Sequence, residues 1–210
     1  MVFGDSITQG FWDTEGGWVN RLRRHYDVQI IKNLKDEENY PAVFNLGISG
    51  DTTHNVLGRL EDETEARLWP GEELAFIFSV GSNDAAVEGS GREWSSTQGY
   101  RKELEGIVKR AKDYSSKIMF VGLPSCDEKL TTPVFWTDIH YTNKRMFEFE
   151  KVMRDFCADQ QILHVPTFET FQEKLKTGYG LFADGLHPNN EGHELIFQLV
   201  RPELDKLLST

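Results

Sequence analysis

VFGDSITQG occupies residues 2–10 and is the most informative run of this chain. A short apolar segment ends in Gly-Asp-Ser, and a glycine follows four residues after the serine. This pattern is typical of a β-strand that turns directly into a helix, so that Ser6 presents its hydroxyl at the carboxyl end of a parallel strand. Taken alone, a serine in such a turn is most often a helix N-cap.

Three further motifs follow along the chain, each after a plausible strand. They are NLGISGDTT at residues 45–53, VGSND at residues 80–84 and DGLHP at residues 184–188. In open α/β sheets, ligands bind at the carboxyl ends of the strands. The four motifs are therefore expected to meet at one site.

The four motifs resemble those of the SGNH (GDSL-type) hydrolase family, which is named for a Ser, a Gly, an Asn and a His in four separate blocks. The matching residues are Ser6, Gly50, Asn83 and His187, with Asp184 as the third member of a Ser-His-Asp triad. The blocks span residues 4–188, nearly the whole chain. The resemblance implies a serine esterase or lipase that uses neither metal nor cofactor. Its expected substrates are small acyl esters first and acetylated sugars second, with lysophospholipids and thioesters also within the family's range.

The chemistry of these residue types agrees with such a role. A serine hydroxyl is a weak nucleophile until a base takes its proton. His187 is the best of the six histidines for this task, because Asp184 lies three residues before it and can orient its ring. The alternative is that Asp184 and His187 only cap the final helix.

Three hydrogen-bond donors are candidates for an oxyanion hole. Gly50 lacks a side chain, so its N–H can approach a substrate oxygen closely. Asn83 offers a carboxamide donor just past a buried strand, and the N–H of Ser6 lies where a helix opens. One such donor typically contributes about 10²–10³ in kcat. Alternatively, Gly50 is an ordinary turn glycine and Asn83 forms an Asx-turn.

Length and charge restrict the class of protein. A chain of 210 residues suits one domain with a sizeable core, here residues 1–210. The net charge is -11, which argues against a nucleic-acid partner because phosphate contact needs clustered Lys and Arg. A small-molecule ester is the expected partner, and the sequence does not indicate an oligomeric state.

Several features bear on location. No segment approaches the roughly 20 apolar residues of a membrane span, and no signal peptide precedes the first strand. The first strand is unusually short, so a trimmed leader stays open as an alternative. Cys126 and Cys157 are the only cysteines and are expected to be free thiols, which favours a cytoplasmic location.

Strand and helix patterns alternate along the chain. Five strands are predicted, at residues 1–3, 42–46, 74–80, 117–121 and 162–165. Helices are predicted at residues 18–24 (weakly), 55–68, 97–114, 143–159 and from about residue 190 onwards. Pro202 is expected to kink the last helix or to end its first half.

Alternating strands and helices imply βαβ units and a parallel sheet. The expected fold class is therefore α/β. The family resemblance adds a three-layer α/β/α flavodoxin-like sandwich with five parallel strands in the order 2-1-3-4-5.

Aromatic residues and one long connection are candidates for the pocket wall, although packing in the core or in loops is the more common role for any single aromatic residue. The aromatics fall in or near loops at the site end of the sheet: Trp12, Trp18, Trp94, Phe135 and Trp136. Residues 123–141 form the longest connection, and long loops at such ends often form pocket walls.

Three other functions stay open. A catalytically silent sugar- or lipid-binding module should lack one of the four blocks, and none is missing. A phosphohydrolase would need a cluster of metal-binding carboxylates, for which Asp5 and Asp84 are a poor beginning. A metal site at Asp184, His187 and His193 is conceivable, but no H-E-x-x-H motif is present.

Overall fold

The computed structural model describes residues 1–32 and 41–209. Its centre is a parallel sheet with the strand order β2-β1-β3-β5-β7. The strands of this sheet are β1 (Val2–Gly4), β2 (Asn45–Gly47), β3 (Phe76–Ser79), β5 (Ile118–Val121) and β7 (Leu163–Val165). Two short strands, β4 (Val87–Glu88) and β6 (Ile139–His140), form a separate antiparallel pair. Counting only the strands of the main sheet, the order is 2-1-3-4-5, as predicted.

Helices cover both faces of the sheet, which gives the three layers expected. The helices are α1 (Ser6–Gln9), α2 (Gly17–Lys32), α3 (Thr53–Glu65), α4 (Thr97–Ala111), α5 (Glu128–Thr131), α6 (Asn143–Gln160), α7 (Phe168–Lys176) and α8 (Asn190–Leu208). Buried side chains of α3, α4 and α6 pack on one face, and those of α2 and α8 pack on the other, while α7 contributes Phe168 to the first half of the core and Phe171 to the second.

Alternation along the strands divides the core into these two halves. In β3, Phe76 and Phe78 point to the face covered by α3, α4 and α6, whereas Ile77 points to the face covered by α2 and α8. Both faces of the strands are apolar because successive side chains point to opposite sides and both sides are buried. Cys126 and Cys157 are buried free thiols.

The predicted elements are found, with shifted ends. The helix predicted weakly at residues 18–24 is α2, which continues to Lys32. The helix predicted at residues 55–68 is α3, which begins two residues earlier because Thr52 and Asn55 form a capping box. The helix expected to open at Ser6 is α1, a single turn, whereas the predictions missed α5, α7 and the small β4–β6 pair.

Pro202 lies inside α8 and does not end it. The helix is continuous from Asn190 to Leu208. Proline removes one backbone donor and typically costs about 3 kcal/mol in a helix interior. Ile196, Val200 and Leu204 are buried along both halves of α8, and their packing on the sheet holds the helix together across this defect.

No helix within residues 1–32 and 41–209 combines the length and the apolar character that crossing a membrane requires.

Candidate active site

Ser6 begins a single helical turn directly after the central strand β1. Asp5 caps this turn, since its carboxylate accepts a hydrogen bond from the N–H of Ile7 at 2.9 Å. The turn packs very closely on the sheet, because a Cβ at Gly4 would overlap both the Thr8 side chain of the turn and the carbonyl oxygen of Ser79 in β3. A glycine is therefore required at the end of β1, and it brings Ser6 to the carboxyl edge of the sheet.

A continuous chain of hydrogen bonds joins Ser6, His187 and Asp184. Ser6 Oγ lies 2.9 Å from His187 Nε2, and His187 Nδ1 lies 2.7 Å from Asp184 Oδ2. Because a carboxylate can only accept, Nδ1 carries the proton and Nε2 is free to accept from the serine hydroxyl. All three residues are buried. The hydrogen bond between Ser6 and His187 joins residues that are 181 positions apart in sequence.

The loop that carries Asp184 and His187 is tightly fixed. Asp184 Oδ1 accepts hydrogen bonds from the N–H groups of Leu186, at 3.0 Å, and of His187, at 2.7 Å. Burial would raise the pKa of Asp184, but the hydrogen bonds from the His187 ring and from the backbone outweigh it, so the pKa lies below its ordinary value. The cap of α8 is Asn189, which accepts from the N–H of Gly192. Asp184 and His187 therefore do not serve as helix caps.

The His187 ring lies between two aromatic rings. Phe11 stacks against it with ring centroids 5.6 Å apart, and Trp136 contacts it at the same centroid separation. Phe11 follows α1, whereas Trp136 belongs to the long connection between β5 and α6. These contacts restrict rotation of the imidazole and keep Nε2 directed at Ser6.

Gly50 lies in the loop after β2, beside the strand that carries Ser6. Its φ of +85° is a conformation that favours glycine, and an added Cβ would meet no atom within 4 Å. Among the described residues, no hydrogen bond uses the N–H of Gly50 or the N–H of Ser6. Both donors are therefore available to a ligand.

Asn83 follows β3 on the other side of β1. Its Nδ2 donates one hydrogen bond to the carbonyl oxygen of Asp51 at 3.0 Å, and its Oδ1 accepts from the hydroxyl of Tyr141 at 3.1 Å. The amide has a second N–H, which remains for a ligand. The hydrogen bond to Asp51 also joins the Asn83 loop to the Gly50 loop. The Gly50 loop is in turn bonded to α1, because the N–H of Ser49 donates to Gln9 Oε1 at 2.9 Å.

The other acidic residues of the motifs support loops. Asp84 accepts from the N–H of Thr53 at 2.9 Å and so holds the start of α3, while Asp51 accepts from Arg59 Nε at 2.8 Å. Asp5 is completely enclosed beneath the nucleophile turn. Burial, opposed by its backbone hydrogen bonds, raises the pKa of Asp5 to about 6.

His193 is occupied by backbone groups. Its Nδ1 accepts from the N–H of Trp18 at 3.3 Å, and its Nε2 lies 3.2 Å from the carbonyl oxygen of Phe11. Burial lowers the pKa of His193 to about 4, so the ring is neutral near pH 7. Both nitrogens are used within the protein, which speaks against the Asp184, His187 and His193 metal alternative. Residues 1–32 and 41–209 also contain no group of three or more His, Cys, Asp or Glu side chains placed to hold a metal ion.

Only some of the predicted pocket aromatics reach the site. Trp12 donates from Nε1 to Asp184, Trp136 contacts His187, and Phe135 packs edge-on against Trp136. Trp18 instead has the alternative role of core packing, because this side chain of α2 is completely buried against the sheet. No contact recorded for Trp94, which is partly exposed, involves Ser6, Asp184 or His187.

Two contributions to the site were missed in the sequence. One is the hydrogen bond from Trp12 to Asp184, and the other is Tyr141 behind Asn83. Trp12 carried a signal, since it lies two residues after Gly10 in the first block. Tyr141 carried none beyond its position at the end of the long connection.

The chain was compared with known proteins. The profile of the GDSL-like Lipase/Acylhydrolase family matches residues 2–195. Esterase TesA of Pseudomonas aeruginosa is 26% identical over 210 residues, which cover 99% of this chain and 88% of TesA. A lipase/acylhydrolase from Enterococcus faecalis superposes with a TM-score of 0.74 at 25% identity, covering 97% of this chain and 93% of that one.

A third protein shares the fold. Axe2, an acetylxylan esterase from Geobacillus stearothermophilus, has a TM-score of 0.70 at 21% identity, covering 96% of this chain and 91% of Axe2. The family profile covers nearly the whole chain, including the segments that carry Ser6, Gly50, Asn83, Asp184 and His187. The chain therefore belongs to the GDSL-like lipase/acylhydrolase family.

Proposed function

We propose that the protein hydrolyses small acyl esters through an acyl-enzyme on Ser6, with His187 as base and Asp184 as the residue that orients it. The observation that carries the proposal is the hydrogen-bonded chain from Ser6 Oγ through His187 to Asp184, at 2.9 and 2.7 Å. Membership in a family of esterases and lipases supports the same reaction class.

The steps follow from the arrangement. His187 Nε2 takes the proton of Ser6 as Oγ attacks the ester carbonyl, and the carbonyl π electrons move to the oxygen. When the tetrahedral intermediate collapses, the C–O bond to the alcohol breaks and His187 returns the proton to the leaving oxygen. Water then attacks the acyl-enzyme with the same help, which releases the acid and free Ser6. None of these steps uses a metal or a cofactor.

The oxyanion of the intermediate is proposed to bind at Ser6 N–H, Gly50 N–H and Asn83 Nδ2. The three donors follow three adjacent strands, β1, β2 and β3. Within the described part of the chain, two of them make no hydrogen bond and the third has a second N–H, so all three can bind a ligand without breaking an existing bond. Donors fixed in advance need no reorganisation during the reaction.

A carbohydrate O-acetyl ester is the second candidate substrate. Trp12, Phe135 and Trp136 are 55%, 78% and 44% exposed beside Asp184 and His187. Exposed aromatic faces at a site can stack against a sugar ring, and an acetyl group needs only a small acyl subsite. Axe2 has the same fold and is an acetylxylan esterase.

Replacement of the nucleophile tests the proposal. Ser6→Ala should lower kcat by about 10³-fold or more, because loss of a triad member removes the covalent route. An organophosphonate should add its mass to Ser6 of the wild type and to no residue of Ser6→Ala. Ser90→Ala, which changes an exposed loop serine, is the matched control and should keep full activity and labelling.

Other results of these experiments would contradict the proposed function. Near-normal turnover by Ser6→Ala, or labelling at another serine, would remove Ser6 from the nucleophile role. No hydrolysis of any ester by the folded wild type would favour a binding module instead. A panel of p-nitrophenyl esters of increasing acyl length, beside acetylated xylan and a lysophospholipid, separates the substrate candidates.

A further inference from the structure

Trp12 donates a hydrogen bond to the Asp184 carboxylate. Its indole Nε1 donates to Asp184 Oδ2 at 2.8 Å, and this is the same oxygen that faces His187 Nδ1 at 2.7 Å. The two residues are 172 positions apart in sequence. A side chain from the first block of the chain is thus bonded to the last block, at an atom on which the proposed reaction depends.

The backbone at Trp12 is held in an unfavourable conformation. Its φ is +61°, in the left-handed region that bulky side chains avoid. Gln161 is the one other non-glycine residue with positive φ in the described part of the chain, and it ends a helix. Such conformations persist where surrounding contacts fix them, and they concentrate at functional sites. At Trp12, this conformation accompanies the indole bond to Asp184.

We propose that Trp12 is a positioning residue: its indole N–H fixes the carboxylate that orients His187 and moderates the negative charge that His187 meets. This inference rests on the proposed function of Ser6, His187 and Asp184. With Trp12 included, each oxygen of Asp184 accepts two hydrogen bonds, Oδ1 from the backbone and Oδ2 from two rings. Without Trp12, Oδ2 would be held by His187 alone.

Loss of the indole donor should shift the acidic limb of kcat/KM in a definite direction. A carboxylate that accepts fewer hydrogen bonds from other partners keeps more negative charge at the oxygen facing His187, so it attracts the imidazolium more strongly. His187 would then hold its proton to higher pH, so the acidic limb of kcat/KM should move upward. The other ionisable groups facing the pair are Asp5, Tyr141 and His193, and they are the same before and after the change.

Trp136 provides a matched comparison. Like Trp12 it is a partly exposed tryptophan at the site, and its ring contacts His187 at a centroid separation of 5.6 Å. Its indole makes no hydrogen bond to Asp184. A general loss of aromatic surface should affect both positions, whereas a loss of the bond to Asp184 should affect only Trp12.

The sharpest experiment replaces Trp12 with 3-benzothienylalanine by amber suppression, which keeps the ring shape and puts sulfur where the N–H was. Trp12→Phe is the genetic counterpart, and Trp136→Phe is the control. For both Trp12 variants we expect kcat to fall about 3- to 10-fold, KM to change little and the acidic limb of kcat/KM to rise by about half a pH unit. For Trp136→Phe, which keeps an aromatic ring against His187, we expect no upward movement of the limb, since the bond to Asp184 is untouched, and a change in KM.

Histidine NMR separates this inference from the proposed function. In a Ser6→Ala background, which needs no activity, the titration midpoint of His187 should rise when position 12 carries 3-benzothienylalanine. An unmoved or lowered midpoint, or a kinetic limb identical to that of wild type, would overturn the role of Trp12 while leaving the triad intact. Failure of the triad would instead appear in the Ser6→Ala and labelling experiments.

Discussion

Asn83 is a residue whose orientation is set from both ends of its amide. Tyr141 donates to Oδ1, and Nδ2 donates to the carbonyl of Asp51, so the amide cannot flip without losing both bonds. The remaining N–H therefore has a fixed direction. This is the property an oxyanion donor needs, since its contribution depends on being aimed before charge develops.

Asn83→Ala is expected to lower kcat about 10²-fold with little change in KM, because the ground-state carbonyl needs the donor less than the oxyanion does. Asn83→Asp should be worse, since it places negative charge against the oxyanion. Tyr141→Phe frees the orientation but keeps the donor, and its loss should be smaller. Steady-state kinetics on one p-nitrophenyl ester decide the matter: a raised KM at constant kcat would make Asn83 a loop-fixing or substrate-binding residue.

At the scale of single residues, the four motifs predicted which side chains meet in the candidate site. Their order predicted that Ser6, His187 and Asp184 come together, and the hydrogen bonds join them. The indole bond of Trp12 and the support from Tyr141 could not be predicted, because each depends on side-chain reach between segments far apart in sequence. The sequence left two roles open for Trp18, pocket wall and core packing, and the structure shows core packing.

Helix α6 ends at a non-glycine residue that has a left-handed backbone conformation. The N–H of Gln161 bonds to the carbonyl of Ala158, and the N–H of Ile162 bonds to the carbonyl of Cys157, which is a Schellman arrangement. Gln161 occupies the left-handed position with φ +54°, where glycine is the usual residue. The side chain of Gln161 is exposed, so its replacement should change the backbone energy and little else.

Gln161→Gly is expected to raise the free energy of unfolding by about 0.5–1 kcal/mol. Relief of the left-handed strain, about 1–2 kcal/mol, exceeds the extra chain entropy of glycine, about 0.5–1 kcal/mol. Gln160→Gly is the control within α6 and should lower stability by about 0.5–1 kcal/mol. Urea denaturation of the three proteins tests this, and equal destabilisation by both changes would contradict it.

Element centres were predictable and several ends were not. The strands were located because apolar runs are bounded by polar residues and glycine, but neighbouring strands decide where pairing stops. Helix α2 was predicted too short because Val28 and Ile31, in its second half, are exposed and interrupt the helical apolar pattern. Helix α7 was missed because two buried phenylalanines, Phe168 and Phe171, hold a helix of nine residues that otherwise has polar side chains in most positions.

At the scale of the molecule, His193 connects three parts of the chain. Its ring lies on α8, accepts from the first turn of α2 and faces the carbonyl of Phe11 in the segment after α1. These bonds require a neutral ring. The pKa of His193, lowered by burial to about 4, means that the unfolded chain binds the proton more readily than the folded one.

The stability that neutral His193 contributes should be fully present above about pH 6.5 and lost as the pH falls through about 4. The shift corresponds to roughly 3 kcal/mol. In His193→Gln, whose amide can both accept and donate, the free energy of unfolding should fall less steeply between these pH values. Parallel slopes for the two proteins, measured by denaturant titration at several pH values, would contradict the prediction.

The distance along the chain between Ser6 and His187 also has a consequence for biogenesis. Ser6 leaves the ribosome well before His187, which lies 181 residues further along the chain. The hydrogen bond between them closes a loop of 181 residues and needs α8 docked against the sheet. Chains that end before His187 should thus be inert toward esters, and the appearance of hydrolysis should report the docking of α8 instead of the formation of the sheet.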